Sequence, residues 1–242
     1  MADVIGQRIA GNLVYLDRGA HGKRVVDAIG PDVFKFQHDF VRGQGLSATA
    51  LGDEATVTAT GTSPAVYTDA AGGVLLLTTG GTENDGLNIQ WLGENFHLGA
   101  TGISALYFGC RFKISDATQS DFFIGLCDTD TDILGGADDS IGFRKADGST
   151  AVSFVTEKGT TETTATAFTA DTSWHIVEFY YDAGAGTLEP FVDGVSIGNV
   201  ATTNLPDEEQ RVSVHFLTGE GGAKTMSIDW ITVIQIGGRN AA

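Results

Sequence analysis

The sequence predicts an all-β protein, a two-sheet antiparallel sandwich preceded by an N-terminal arm. Three observations predict it. From about residue 43 onward, short runs rich in Thr, Val, Ile and Phe alternate with turn clusters. The chain holds 33 glycines against four prolines, a composition of many tight turns rather than of a proline-rich disordered segment. No stretch of twelve residues carries helical spacing. A long series of half-apolar strands needs a second sheet to cover the first, and the absence of a fixed-period repeat argues against a propeller or β-helix. At 242 residues and 42% hydrophobic content, one sandwich with a substantial core fits.

The arm, residues 1–42, reads as short elements broken by glycine: LVYLDRG at 13–19, KRVVDAIGP at 23–31 and VFKFQHDF at 33–40. It cannot form a core alone, so Leu13, Tyr15, Leu16, Phe34 and Phe36 are expected to form an interface, covered by the body, a sister subunit or a partner. The body, 43–242, continues with VLLLTT (74–79), NDGLNIQWLG, and ISALYFGCRFKIS (103–115). In that last run Leu106, Phe108, Cys110, Phe112 and Ile114 fall on one face. SDFFIGLCD follows, then SIGFRK and TAVSFVTE joined by the hairpin signal ADGS. The closing strands are WHIVEFYYD (174–182), TLEPFVDG (187–194), QRVSVHFLTG (210–219) and MSIDWITVIQIGG (226–238). Cys110 and Cys127 lie in apolar strand-like runs, which predicts buried free thiols.

The segment WHIVEFYYDAGAGTLEPFVDGVSIG (174–198) resembles the signature hairpin of concanavalin A-like and laminin G-like jelly rolls. A Trp-His strand ends in Tyr-Asp, a glycine turn reverses the chain, and the return strand closes on Val-Asp-Gly. The terminal strand MSIDWITVIQIG is similar to the last strand of that fold. The resemblance implies a concanavalin-like jelly roll over roughly 45–238; this sandwich serves glycosidases, lectins, adhesion modules and viral proteins alike. The glycine-rich arm ahead of such a sandwich resembles virion proteins of tailed bacteriophages, in particular capsid decoration proteins.

Charge divides the chain. Residues 1–42 sum to +1, while the whole carries -17, leaving -18 on the body. Such a body repels phosphate backbones, which argues against direct nucleic-acid binding. The opening MADVIGQRIAGN lacks the apolar core of a secretion signal and no run approaches transmembrane length, so no membrane role is expected. The reading that follows is a non-enzymatic structural protein on the outer surface of a phage particle, made in the host cytoplasm and homo-oligomeric. Its arm would contact the major capsid protein or another virion protein. The alternative is a carbohydrate-binding, lectin-like module of a phage fibre or surface protein, with a glycan as partner.

Glycosidases of this sandwich carry a Glu-x-Asp-x-x-Glu strand that sets two carboxyl groups roughly 5–5.5 Å apart for retaining chemistry. The nearest string here, Glu83 to Asn88, ends in an amide that cannot act as a general acid, and it reads as a turn; no catalytic residues are expected. Asp128, Asp130 and Asp132 in CDTDTD offer alternating hard oxygen ligands suited to calcium, the one cofactor in view, although Ile133 stands where an EF-hand loop has glycine. Trp91, in NIQWLGENF, is the candidate platform for a sugar ring. The five histidines show no paired metal spacing, and His175 is expected to be packed or hydrogen-bonded within its strand.

Overall fold

The computed structural model describes residues 6–10, 13–17, 23–41, 46–47, 50–51, 54–68 and 71–238; before Asp27 the description is of backbone alone. Strands β1 (Gly6–Ala10), β2 (Leu13–Asp17) and β3 (Lys23–Ala28) form an antiparallel three-stranded sheet of their own. The chain continues through β4 (Val33–His38), the two-residue strands β5 (Leu46–Ser47) and β6 (Ala50–Leu51), β7 (Ala55–Thr60), β8 (Ala65–Thr68) and β9 (Val74–Thr78). Then come β10 (Gly86–Trp91), β11 (Ile103–Ile114), β12 (Ser120–Cys127), a single helical turn α1 (Ile133–Gly136), β13 (Ser140–Lys145) and β14 (Ala151–Lys158). The last strands are β15 (Thr161–Thr169), β16 (His175–Asp182), β17 (Thr187–Val192), β18 (Val195–Ser196), β19 (Arg211–Thr218) and β20 (Thr225–Gly237).

Two antiparallel sheets make the jelly-roll sandwich. One runs β15-β14-β13-β12-β19-β10-β7; the other runs β18-β17-β16-β11-β20-β9-β8, with β4 also paired to β20. Period-two alternation dictates the inner layer. Leu87, Ile89 and Trp91 of β10, Val212, Val214 and Phe216 of β19, and Phe122, Ile124 and Leu126 of β12 point inward. They meet Leu106, Phe108, Cys110 and Phe112 of β11, with Val177 and Phe179 of β16, as the one-face pattern predicted. Phe108 and Phe179 stack at 5.2 Å between centroids. Both cysteines are buried and free.

The predicted hairpins form where the turn chemistry placed them. β13 and β14 pair across 146–150, where Gly148 takes φ 67°. β16 and β17 pair as the 174–198 signature required, and the following turn at Asp193 (φ 51°) is held by its own carboxylate. That carboxylate accepts from the Ile176 amide at 2.8 Å and lies 2.8 Å from His175 Nδ1, while His175 Nε2 lies 3.1 Å from Asp171. His175 is thus a turn lock.

A boundary at 42/43 does not follow the sandwich's own pairing. β4 runs antiparallel along β20, matching His38 to Ile231, Phe36 to Val233 and Phe34 to Gln235. Phe36 packs edge-on against Trp91 at 5.7 Å, and Phe40 is buried in the main core. Charge is a surface property, and a near-neutral segment can still supply a core strand. Phe34 and Phe36 are therefore engaged by the sandwich of their own chain. The side chains of Leu13, Tyr15 and Leu16 lie outside the described residues.

Candidate functional site

On β10 the residues between the core positions, Asn88 and Gln90, point to the opposite face, as do Ser213 and His215 on β19. All four are polar and all are buried. They are covered by the segment 128–139, which leaves the end of β12 and folds back over the outer face of the seven-stranded sheet. Its two ends meet where the Asp128 amide donates to the Asp139 carbonyl at 3.1 Å. Gln90 Nε2 donates to the Asp128 carbonyl at 2.7 Å, and Gln90 Oε1 accepts from the Asp130 amide at 3.0 Å. Asn88 Nδ2 donates to the Asp130 carbonyl at 2.7 Å. The Leu134 amide donates to His215 Nδ1 at 3.1 Å. Ile133, 3% exposed, plugs a second apolar cluster made by Phe123, Cys127, Ala137 and Val155. Buried amides and an imidazole on a sheet face need partners, and the backbone of this loop supplies them for Gln90, for Asn88 Nδ2 and for His215 Nδ1.

Beside the loop a cleft of about 410 Å³ remains, with Thr58, Asn84, Asp121, Asp132, Leu134 and His215 among its lining residues. In the strand register Asn88 lies between Thr58 and His215, two of the residues that line this cleft. Because Nδ1 of His215 accepts a hydrogen bond, a neutral ring carries its proton on Nε2. Burial pushes its pKa down to about 4, against the smaller opposite pull of Asp132 and Asp130. At neutral pH the imidazole is uncharged, so the 4.0 Å approach of Asp132 is not an ion pair. Asp121 is pushed the other way, up to about 6, by burial first and by the charge of Asp147 second, with Lys145 opposing. Lys145 itself is 1% exposed and donates to the carbonyls of Thr118, Ser120 and Ala146, so it sits beneath the surface.

The residues singled out from sequence fall elsewhere or act otherwise. Among the described residues no group of three His, Cys, Asp or Glu side chains is placed to hold a metal ion, the group that Asp128, Asp130 and Asp132 would have to form included. Instead Asp128 accepts from the Cys127 thiol at 3.2 Å, and Asp130 accepts from the Asp132 amide at 2.8 Å, as in a tight Asx turn. Asp132 alone lines the cleft. Trp91 is not an open sugar platform. It shares the inward parity of Leu87 and Ile89 and is 2% exposed against Phe36 and Phe40, which leaves no ring face for a sugar. An opening of about 690 Å³ does reach Trp91, but its lining residues Val41 and Glu54 adjoin segments outside the described residues. Glu83 is exposed in the turn that precedes β10, and Asn88 is already in the strand.

Sequence reasoning missed His215 and Asp121. A parity signal for His215 was present in RVSVHFLT: Val212, Val214 and Phe216 face in, so Ser213 and His215 face out. Asp121 had no such signal, since only the fold brings it to Asp132.

The same sandwich recurs in solved structures. A protein of unknown function from Shewanella oneidensis MR-1 superposes with TM-score 0.59 at 16% identity, covering 89% of this chain and 91% of that one. A glycoside hydrolase family 16 endo-glucanase from Bacteroides ovatus gives TM-score 0.56 at 13% identity, over 82% of this chain and 99% of that one. Botulinum neurotoxin type C, whose cell entry depends on two ganglioside molecules, gives 0.52 at 11% over 76% of this chain and 43% of the toxin chain. No family model and no curated protein matches the sequence. The likeness establishes the concanavalin-like jelly roll.

It also overturns the expectation of a non-enzymatic chain. Several of the similar structures are glycoside hydrolases or glucanases. The expectation rested on one missing string at Glu83–Asn88, yet carboxylates reach this cleft from separate segments, at Asp121 and Asp132. Absence of a local motif is therefore no ground for excluding a reaction on this sandwich.

Proposed function

We propose that this chain is a carbohydrate-binding sandwich that holds a saccharide in the cleft beside the 128–139 loop. The observation that carries the reading is the cleft itself: a polar recess on the outer sheet face, lined by Thr58, Thr60, Thr131 and the buried His215 among others. Sugars are recognised by converging hydroxyl, amide and carboxylate groups that fix orientation, and this lining supplies all three kinds. Two of the similar sandwiches were solved with saccharides bound, which supports the same class of ligand here. Neither the fold nor these neighbours lends weight to a virion role, so decoration of a phage particle is not carried forward.

The test is a broad glycan array followed by calorimetry on the best hits. Thr131 is exposed on the cleft rim, so Thr131→Arg should fill the cleft without disturbing the core. Binding by the wild type that is lost in Thr131→Arg, with an unchanged melting temperature, is the expected result. Silence across the array, or binding that survives the arginine, would overturn the assignment.

A further inference from the structure

We infer that β15, the open edge of the seven-stranded sheet, pairs antiparallel with β15 of a second copy of this chain and closes a two-fold dimer. It is the longest of the four strands that end the two sheets: Thr161–Thr169 has nine residues, against six in β7, four in β8 and two in β18. Gly159 and Thr160, at φ 52° and 67°, make a two-residue turn, so Lys158 and Thr161 are the closing bonded pair of the β14–β15 hairpin. Bonded and non-bonded pairs alternate from there, which turns the amide and carbonyl of Glu162 and of Thr164 away from β14. Among the described residues no backbone hydrogen bond outside the ladder reaches Thr161–Thr169. A regular edge left unpaired is a template for another strand.

Three features make the occupant a second copy. First, the strand lacks the devices that keep an edge from pairing. It holds no proline and no lysine, and its one register irregularity falls between Thr166 and Phe168, which leaves 161–166 regular. Second, the edge is compatible with itself. Its one charge, Glu162, is paired with Arg144 of β13, which reaches across β14. A two-fold at any residue from 163 to 166 sets Glu162 opposite Thr164, Thr166, Phe168 or Ala170, never opposite Glu162 of the other copy. A chain of charge -17 repels its copy, and an edge whose single carboxylate is paired keeps like charges apart at the seam. Third, a foreign peptide added to an edge draws its specificity from pockets for alternate side chains, and no β15 residue lines the clefts at Trp91, at His215 or at Lys113. Pairing of two copies consumes the edge on both, so assembly stops at two. The two-fold stands perpendicular to the joined sheet, so the outer faces of both copies, each with its cleft, look the same way.

Sedimentation equilibrium of the full chain at physiological salt, from about 1 μM to about 300 μM, tests this. Wild type should pass from monomer to dimer with a dissociation constant on the order of 10 μM, as a small interface gives, and form no larger species. Added salt should tighten the dimer, because the long-range term it screens is repulsion. Thr164→Pro removes an outward amide and no bond to β14, so it should weaken association by about 30-fold, one ladder hydrogen bond lost from each copy, at an unchanged melting temperature. Val195→Lys, at an exposed residue on the edge of the other sheet, should leave the dimer intact. Hydrogen exchange of the wild type locates the contact: the Glu162 and Thr164 amides should slow as concentration rises. A wild type that stays monomeric throughout, an open series of larger species, or a dimer in which those two amides exchange as fast as in the monomer overturns the inference. A dimer that Val195→Lys dissolves and Thr164→Pro keeps overturns it too. Should the proline variant melt early, the exchange pattern of the wild type decides alone.

Discussion

Replacing Ile133 by alanine tests how the loop that walls the cleft is held. Ile133 is the loop's one deeply buried large side chain, seated among Phe123, Cys127, Ala137 and Val155. The change deletes about three buried carbons at ~0.8 kcal/mol each, or roughly 2.4 kcal/mol of transfer free energy. A residual cavity adds to this, and Ile→Ala in cores spans about 2–5 kcal/mol. The loop can respond by lifting off the sheet, which limits the global cost to its docking free energy and brings the expectation to about 2 kcal/mol. Lifting would break the Leu134 amide's bond to His215 and the Asp130 amide's bond to Gln90. Urea unfolding at neutral pH should show the fall in stability, and native-state exchange should show those two amides speeding up by about 30-fold, the factor that ~2 kcal/mol represents. Saccharide affinity should fall in parallel. A stability change under about 0.5 kcal/mol with unchanged exchange would show that the plug does not hold the loop, and the reasoning about the cleft wall would fail.

Three further outcomes follow from the same geometry. His215 is buried neutral with a folded pKa of about 4 against about 6.5 unfolded, so the unfolded state binds more protons between those values and stability is lost as pH falls from 6.5 toward 4. The loss should be on the order of 3 kcal/mol for this group, and an NMR titration placing His215 near 6.5 would contradict it. Asp121 works in the opposite sense: raised to about 6, it binds its proton more readily in the folded state, so it adds stability as pH falls through that window. Asp121→Asn should therefore be more stable than wild type at pH 7 and lose stability more steeply toward pH 4, and parallel pH curves would refute the assignment. Deleting residues 1–42 should abolish cooperative melting, because β4, Phe36 and Phe40 go with it, whereas deleting 1–22 should preserve it; a sharp transition in the longer deletion would show that β4 is dispensable.

The fold was legible because its signal is periodic and redundant. Leu106 to Phe112 on one face, the ADGS turn and the Asp193-Gly194 turn each specify a local arrangement, and all agree on paired antiparallel strands. The site was less legible because function here depends on which sheet face a residue takes and on what covers it. Trp91 looked available in isolation, yet its parity with Leu87 and Ile89 puts it inside. The three aspartates looked like ligands because carboxylates at alternate positions satisfy a composition rule, whereas direction is set by the loop's own turns. Ile133 in the midst of them was the telling residue: a large aliphatic side chain in an acidic loop needs an apolar seat, and it finds one on the outer sheet face. The boundary at residue 42 followed charge, and strand pairing ignored it.

The most direct test of the central claim is chemical-shift mapping of the isotope-labelled wild-type protein titrated with the oligosaccharide that the glycan array ranks tightest. The account predicts perturbations concentrated at Thr58, Asn84, Asp121, Leu134 and the His215 ring, saturating together with one affinity. Shifts clustered on another face, or none at saturating sugar, would contradict it.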